Sequence, residues 1–366
     1  MKPLVFPILL GGFIAIAAGC SKNEPAGSNA PGGGNAGKGS GAAGGGAASG
    51  AGAGSGANTG GGPGSGEGGT SKGDAGSGGT GSESGGSGGG SGSTGIAGAP
   101  ASSGVDVFGI EQLYPSAASS AEWTSAHWAG GDEYSITART DPNDPLGLSG
   151  MRGTGTLDVT GDGELVMGGS QPRIYVYPGD AGPWQNLEIT AYYQRVEDSA
   201  TAYAGLVIGA RSGPEGHTDS TPCDAHTYYA RVRNDGAFDF EKELEHPASA
   251  TQSRIDPEAA WPPAGEVPFE TWIGFKFVIY NLGDGNVKLE AYLDLTSGEN
   301  GGTWEKVNET VDDGGWFVET TCSEHEPNDD GESELIVTEG GTTFIRNTEV
   351  TEARYRWVSV REIAVP

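Results

Sequence analysis

Three carboxylates recur at alternate positions in Asp239-x-Glu241-x-Glu243. Alternate side chains leave the same face of an extended strand, which sets neighbouring members about 6.5 to 7 Å apart along it. Retaining glycoside hydrolysis uses an acid and a nucleophile about 5 to 5.5 Å apart, and carboxylates on this spacing can reach that separation. Arg231, in the preceding segment, offers a second account: a cross-strand ion pair with Asp239. Other chemistry-bearing residues are dispersed. His127, His217, His226, His246 and His325 lack zinc-ligand spacing, and no Gly-x-Ser-x-Gly elbow or phosphate loop stands among the glycine runs. Asp329 and Asp330, in Pro327-Asn328-Asp329-Asp330-Gly331, are the candidate for calcium, the one cofactor the sequence suggests.

Aligned carboxylates need strands, and the sequence supplies them. Residues 174–177, 187–193, 205–210, 227–233, 238–244, 272–280, 287–293 and 355–363 carry β-branched and aromatic residues between Gly/Asp/Asn/Pro turns, without long amphipathic helices. This pattern predicts an all-β fold, an antiparallel two-sheet sandwich. In the first hairpin a three-residue loop, Asn234-Asp235-Gly236, with Gly236 left-handed, sets Val232 against Phe238 and Ala230 against Phe240 on a core face. It sets Arg231 against Asp239 and Tyr229 against Glu241 on the other. In the second, Ile273, Phe275, Phe277 and Ile279 point inward with Val287, Leu289, Ala291 and Leu293. Trp272, Lys276, Tyr280, Lys288, Glu290, Tyr292 and Asp294 point outward. A third strand sends Leu187, Ile189, Ala191 and Tyr193 in, and Glu188, Thr190, Tyr192 and Gln194 out.

Outward faces that mix aromatic rings with Arg, Gln and carboxylates suit saccharides, because rings stack on pyranose faces while polar groups bind hydroxyls. The alternative is ordinary solvated β surface laced with ion pairs. On strand order and face chemistry, residues 105–366 resemble the concanavalin A-like lectin and glucanase superfamily, whose jelly roll carries glycan on a concave sheet. The resemblance implies a polysaccharide partner, with Tyr229, Asp239, Glu241, Glu243, Glu290, Tyr292, Gln194 and Trp272 binding it. Laminarinase-like hydrolases of that superfamily use Glu-x-Asp-x-Glu, in which the first two residues are exchanged relative to this chain. Phe275, Lys276, Tyr280 and Asn281 also resemble a strand motif of alginate lyases, with departures at Gly274, Phe277, Val278 and Leu282, and the companion motifs of those enzymes are not found. That likeness implies Tyr280 as acid and base for β-elimination on uronates, with Lys276 beside it and Arg231 or Gln194 quenching the carboxylate. Binding ranks ahead of either chemistry, because no complete catalytic set is present.

The chain as a whole has a three-part organisation. Residues 1–19 combine Lys2, an apolar run from Leu4 to Ile16 and the small residues Ala17-Ala18-Gly19 before Cys20. This is similar to a bacterial lipoprotein signal with Cys20 as the lipidated residue; ordinary cleavage is the alternative, since Ala17 stands where that family usually has Leu. Ser21 fits the outer-membrane form of the sorting signal. The expected location is the cell envelope, with lipid as the membrane attachment. From Ser21 to Gly104 there are 35 glycines and no Phe, Trp or Tyr, so residues 20–104 read as a flexible linker with a root-mean-square span of about 50 Å. The β domain occupies 105–366 and carries 45 acidic against 16 basic residues, the source of the net charge of −29. That balance argues against nucleic acid, and a monomer is expected. With Cys20 lipidated, Cys223 and Cys322 remain as an even pair in an oxidising compartment and are expected to form a disulfide. A Cys20→Ser chain should lose palmitate labelling and leave the membrane fraction; labelling that persists would place the lipid elsewhere.

Overall fold

Two-residue alternation of apolar side chains dominates the architecture, because each strand has one face to bury. The computed structural model describes residues 103–118, 121–198, 201, 203–215, 220–255, 261, 265–327, 331–337 and 341–366. Cys20 with its leader and most of the linker, His217, Asp329 and Asp330 lie outside the described residues. Among those residues there are sixteen strands. They are β1 (Gly104–Val105), β2 (Glu111–Gln112), β3 (Glu122–Thr124), β4 (Tyr134–Ser135), β5 (Ser149–Val159), β6 (Glu164–Val176), β7 (Leu187–Asp198) and β8 (Gly205–Ser212). They continue as β9 (Thr227–Arg233), β10 (Phe238–Glu245), β11 (Ala248–Ile255), β12 (Trp272–Asn281), β13 (Val287–Asp294), β14 (Glu305–Asp312), β15 (Thr342–Thr348) and β16 (Val350–Glu362). No helix among the described residues is long and apolar enough to cross a membrane.

The fold is an all-β antiparallel sandwich, as the periodicity predicts. The hydrogen-bonded order β11-β10-β9-β8-β15-β6-β16-β7-β12-β13-β14 is continuous and folds over on itself. The join is made by β5 and β6, which pass through both layers. Residues 173–176 of β6 pair with β15, whereas residues 164–168 pair with β16. The bend falls where Gly155 and Gly169 meet: a Cβ on Gly169 would stand 2.9 Å from the Gly155 Cα, and both residues have positive φ. Strands that switch layers at bulges are a general way to turn such corners.

Between the layers the aromatic rings of the two hairpins face each other. Phe238 lies 6.3 Å from Phe275, and Phe240 lies 6.1 Å from Phe277, centroid to centroid. Both hairpins have the expected register, Val232 opposite Phe238 and Ala230 opposite Phe240 in the first, with Gly236 at φ 84°. The inward residues of β12 and β13 are all buried in the main core. Strands β1 to β5, β11, β14 and β15 were not expected. Glycines interrupt β5, and β14 reads Glu-Lys-Val-Asn-Glu-Thr-Val-Asp, too polar to announce a buried face.

Three charged groups, Lys242, Asp312 and Arg211, sit inside this core. The Lys242 ammonium donates to Asp312 at 2.7 Å, both side chains being fully enclosed, and the Tyr228 hydroxyl donates to the same carboxylate at 2.6 Å. The Arg211 guanidinium donates to the carbonyls of Gln185 and Ile336 at 2.7 Å each, and burial pulls its pKa down to about 10. These bonds tie the segments that flank the sandwich to its strands. Cys223 and Cys322 are joined by a disulfide across a sequence separation of 99 residues. Replacing both by Ala should reduce stability by about 2–5 kcal/mol, read as a lower urea midpoint, with a steeper slope because the unfolded chain is less compact; an unchanged midpoint would show that the crosslink contributes nothing.

Candidate functional site

The predicted site residues fall on two opposed outer faces. Lys276, Tyr280, Glu290 and Tyr292 leave β12 and β13 away from the core, alongside Glu188, Thr190 and Gln194 of β7. Tyr229, Arg231, Asp239, Glu241 and Glu243 leave β9 and β10 on the far side of the sandwich. The inward phenylalanines of β10 and β12 stack across the core between these two groups. Arg231 and Tyr280 therefore do not share a site, and the expectation that Arg231 quenches a carboxylate at Tyr280 is corrected by this geometry.

The β7–β12–β13 face is covered. Phe108, Ile110, Leu113 and Tyr114 of the N-terminal segment pack on it with Trp304 and Ile363. The Glu188 carboxylate holds this cover in place. It accepts the backbone N–H groups of Leu113 and Tyr114 at 3.1 Å each, the Lys276 ammonium at 2.8 Å and the Arg361 guanidinium at 2.5 Å. Lys276 donates a further bond to Thr190 at 2.7 Å and lies 4.5 Å from the centre of the Trp304 ring. Glu188 and Lys276 are each 1% exposed. A second carboxylate, Glu290, accepts the hydroxyls of Tyr114 at 2.5 Å and Tyr292 at 2.8 Å and the Lys306 ammonium at 2.7 Å. Tyr280 is 7% exposed, its ring 5.9 Å from that of Tyr114, and burial followed by the Glu290 charge raises its phenol. Trp272 and Gln194 stand at the rim as neighbours across β12 and β7, half-buried. The Arg356 guanidinium lies 4.3 Å from the Trp272 ring.

On the opposite face each carboxylate of the alternating trio has a partner. Arg231 meets Asp239 at 2.9 Å and Glu241 at 2.8 Å. Glu241 also accepts the Ser249 hydroxyl, and Glu243 accepts the Tyr229 hydroxyl and lies 2.9 Å from His246 Nδ1. The cross-strand ion pair of Arg231 and Asp239 is present as one of the two sequence readings has it. The same face continues across β8, β15, β6 and β5, where Arg346, Arg173 and Arg152 stand in register with Tyr175 and Tyr177 close by. Sequence reasoning missed these five residues. Their signal is the alternation Arg173-x-Tyr175-x-Tyr177, which begins one residue before the strand predicted over 174–177.

Among the described residues no group of three or more His, Cys, Asp or Glu side chains is arranged to hold a metal ion; the calcium candidates Asp329 and Asp330 lie outside those residues. No protein-family model matches the sequence, and a search of curated proteins finds no match. Solved structures similar to this chain include the VIP36 exoplasmic/lumenal domain in its Ca2+/Man3GlcNAc-bound form, at 7% identity and a TM-score of 0.36, covering 62% of this chain and 88% of that one. A protein of unknown function from Shewanella oneidensis MR-1 is similar at 14% identity and a TM-score of 0.37, covering 69% and 90%. The metal-free Emp46p carbohydrate recognition domain is similar at 10% identity and a TM-score of 0.35, covering 64% and 97%.

Replacing Glu188 by Ala strands two buried cations and frees two backbone donors. Breaking such a network costs about 3–5 kcal/mol. The Glu188→Ala chain should show that loss in urea and should become sensitive to limited proteolysis within residues 106–115. Parent-like resistance there would mean that the apolar contacts alone hold the cover.

Proposed function

We propose that this chain is an exported, lipid-anchored protein that binds a polysaccharide, with residues 1–19 as its signal, Cys20 as its lipid attachment, residues 20–104 as a tether and residues 105–366 as the binding domain. The domain works in the cell envelope, at the outer membrane on the Ser21 reading, and acts as a monomer. The observation that carries the binding reading is the contrast between the two outer faces. One is closed by residues 106–115, while the other leaves Arg152, Tyr177, Arg231, Glu241 and Arg346 half-buried, with Arg152, Arg346 and Arg231 in one register row across β5, β6, β15, β8 and β9. Ring edges beside guanidinium and carboxylate groups are the surface chemistry that recognises sugars, through stacking and hydroxyl hydrogen bonds.

Binding is favoured over cleavage by the state of the residues that would do chemistry. An acid-base tyrosine must reach the proton it moves, and Tyr280 lies beneath Tyr114. A glycosidase pair needs a carboxylate ready to attack and another ready to donate, and Asp239, Glu241 and Glu243 are held by Arg231, Ser249, Tyr229 and His246.

The test uses the full chain carrying Cys20→Ser, run through affinity gels cast with a panel of neutral and uronic polysaccharides. At least one polymer should retard it, without new reducing ends and without the ultraviolet absorbance of unsaturated uronates. Free migration in every gel would overturn the reading; shortening of a polymer would replace binding with catalysis.

A further inference from the structure

The outer face of β5, β6 and β15 holds three arginines that form no ion pair with a carboxylate among the described residues. Arg152 of β5 stands directly opposite Arg173 of β6, and Arg173 directly opposite Arg346 of β15. Neighbouring strands lie about 4.8 Å apart, so the three side chains share a span of about 10 Å. Like charges directly opposite one another destabilise a sheet. Burial, followed by the charge of Arg346, holds the Arg173 guanidinium below its usual pKa.

None of the three pairs with a carboxylate among the described residues. Arg152 donates to the Tyr177 hydroxyl at 2.8 Å and to the Pro214 carbonyl at 2.9 Å. Arg173 reaches the Gln171 side-chain oxygen at 3.5 Å, and Arg346 lies 5.0 Å from the centre of the Tyr229 ring. The Nε atoms of Arg173 and Arg346 and the hydroxyl of Tyr175 are enclosed with no hydrogen-bond partner. Tyr175 is 0% exposed and Arg173 is 5% exposed. The charge of Glu243 acts on Arg173 without an ion pair, and two strands from Arg346 the carboxylates of Asp239 and Glu241 are taken by Arg231.

We propose that the Arg152–Arg173–Arg346 row binds the oxyanions of acidic sugar residues, carboxylate or sulfate, on the glycan; this rests on the glycan-binding reading above. A guanidinium presents a planar fork of donors that matches carboxylate and sulfate oxygens in pairs, and a charge-assisted bond of that kind is roughly twice as strong as a neutral one. The row is held ready by its floor. The Tyr175 ring stacks 4.8 Å from Phe344, and the Arg152 guanidinium rests 5.8 Å from the centres of both Tyr175 and Tyr177. The rings under the arginines hold the guanidinium groups in place, so less freedom is lost when an anion arrives. The net charge of −29 repels a densely charged polymer at long range, whereas contacts within the row lie inside the screening length of about 10 Å at 0.1 M salt. Spaced acidic groups on a saccharide fit that combination, and nucleic acid does not.

The test is calorimetric titration of the full chain carrying Cys20→Ser with tetragalacturonate, a carrageenan tetrasaccharide that carries sulfate and no carboxylate, cellotetraose as the neutral match, and single-stranded DNA. The proposal expects an acidic tetramer to bind at least tenfold more tightly than cellotetraose, with the two acidic arms separating carboxylate from sulfate. Arg173→Gln and Arg346→Gln should each weaken the acidic ligand about tenfold, Arg173→Lys should weaken it less, and the thermal midpoint should stay level or rise because a like-charge contact is relieved. The half-exposed Arg152→Gln gives the same readout without disturbing a buried position. Equal binding of neutral and acidic tetramers, unchanged in the variants, overturns the proposal and leaves the glycan reading standing. Binding by no saccharide removes both. Preference for DNA overturns the proposal, and so does a lower thermal midpoint with unchanged affinity, which would make the row a structural element.

Discussion

The Glu188 carboxylate is the contact on which the rest of the domain turns. Four donors from three directions converge on it: two backbone N–H groups of the N-terminal segment, the Lys276 ammonium from β12 and the Arg361 guanidinium from β16. A buried ion pair is weak evidence of stability when its desolvation is only partly offset, but here both cations and both oxygens of the anion are engaged. Because the donors belong to separate elements, the network fixes where residues 106–115 lie. Their position decides which face of the sandwich meets solvent.

The same logic runs through the core. Sixteen basic residues serve a domain with 45 acidic ones, and several of them are spent inside. Lys242 meets Asp312, and Arg195 meets Asp198 at 2.7 Å and the Val267 carbonyl at 2.6 Å. Arg211 clasps two backbone carbonyls. Each links a loop or an edge strand to the sandwich, so enclosed cations act as pins between elements that the apolar core alone does not orient. The surface is left strongly acidic, which makes Arg152, Arg173 and Arg346 an exception.

Much of the sandwich was legible because its hairpins obey a strict two-residue period. Once Gly236 was placed in the left-handed position, only one register put Val232 and Phe238 on the same side, and the strands adopt it. The candidate site was legible only as faces, not as open or closed ones. Glu188, Lys276, Tyr280, Glu290 and Tyr292 make a good sugar-binding face if bare and an equally good sealed polar layer if covered. The covering segment gives little sign of itself in sequence: residues 106–115 read Asp-Val-Phe-Gly-Ile-Glu-Gln-Leu-Tyr-Pro, a short stretch with mixed periodicity. The tyrosines and arginines of β6 and β15 were missed for a related reason. Arg173 lies just outside the recognised apolar run, and Thr342–Thr348 is too short and polar to stand out.

An acidic domain that holds a partly buried cationic row separates long-range from short-range electrostatics. At distance the molecule is an anion, and its field favours neither nucleic acid nor a dense polyanion. At contact, three guanidinium groups over a floor of Tyr175, Tyr177 and Phe344 are strongly attractive to an oxyanion that reaches them. The like-charge repulsion across β5, β6 and β15 is present whether or not a ligand is bound, so an incoming anion relieves it as well as forming new bonds. A site of this kind gains selectivity because neutral saccharides leave that repulsion in place. The alternation Arg173-x-Tyr175-x-Tyr177 is therefore best understood as a single device, in which the tyrosines hold the arginines at a spacing the chain would otherwise avoid.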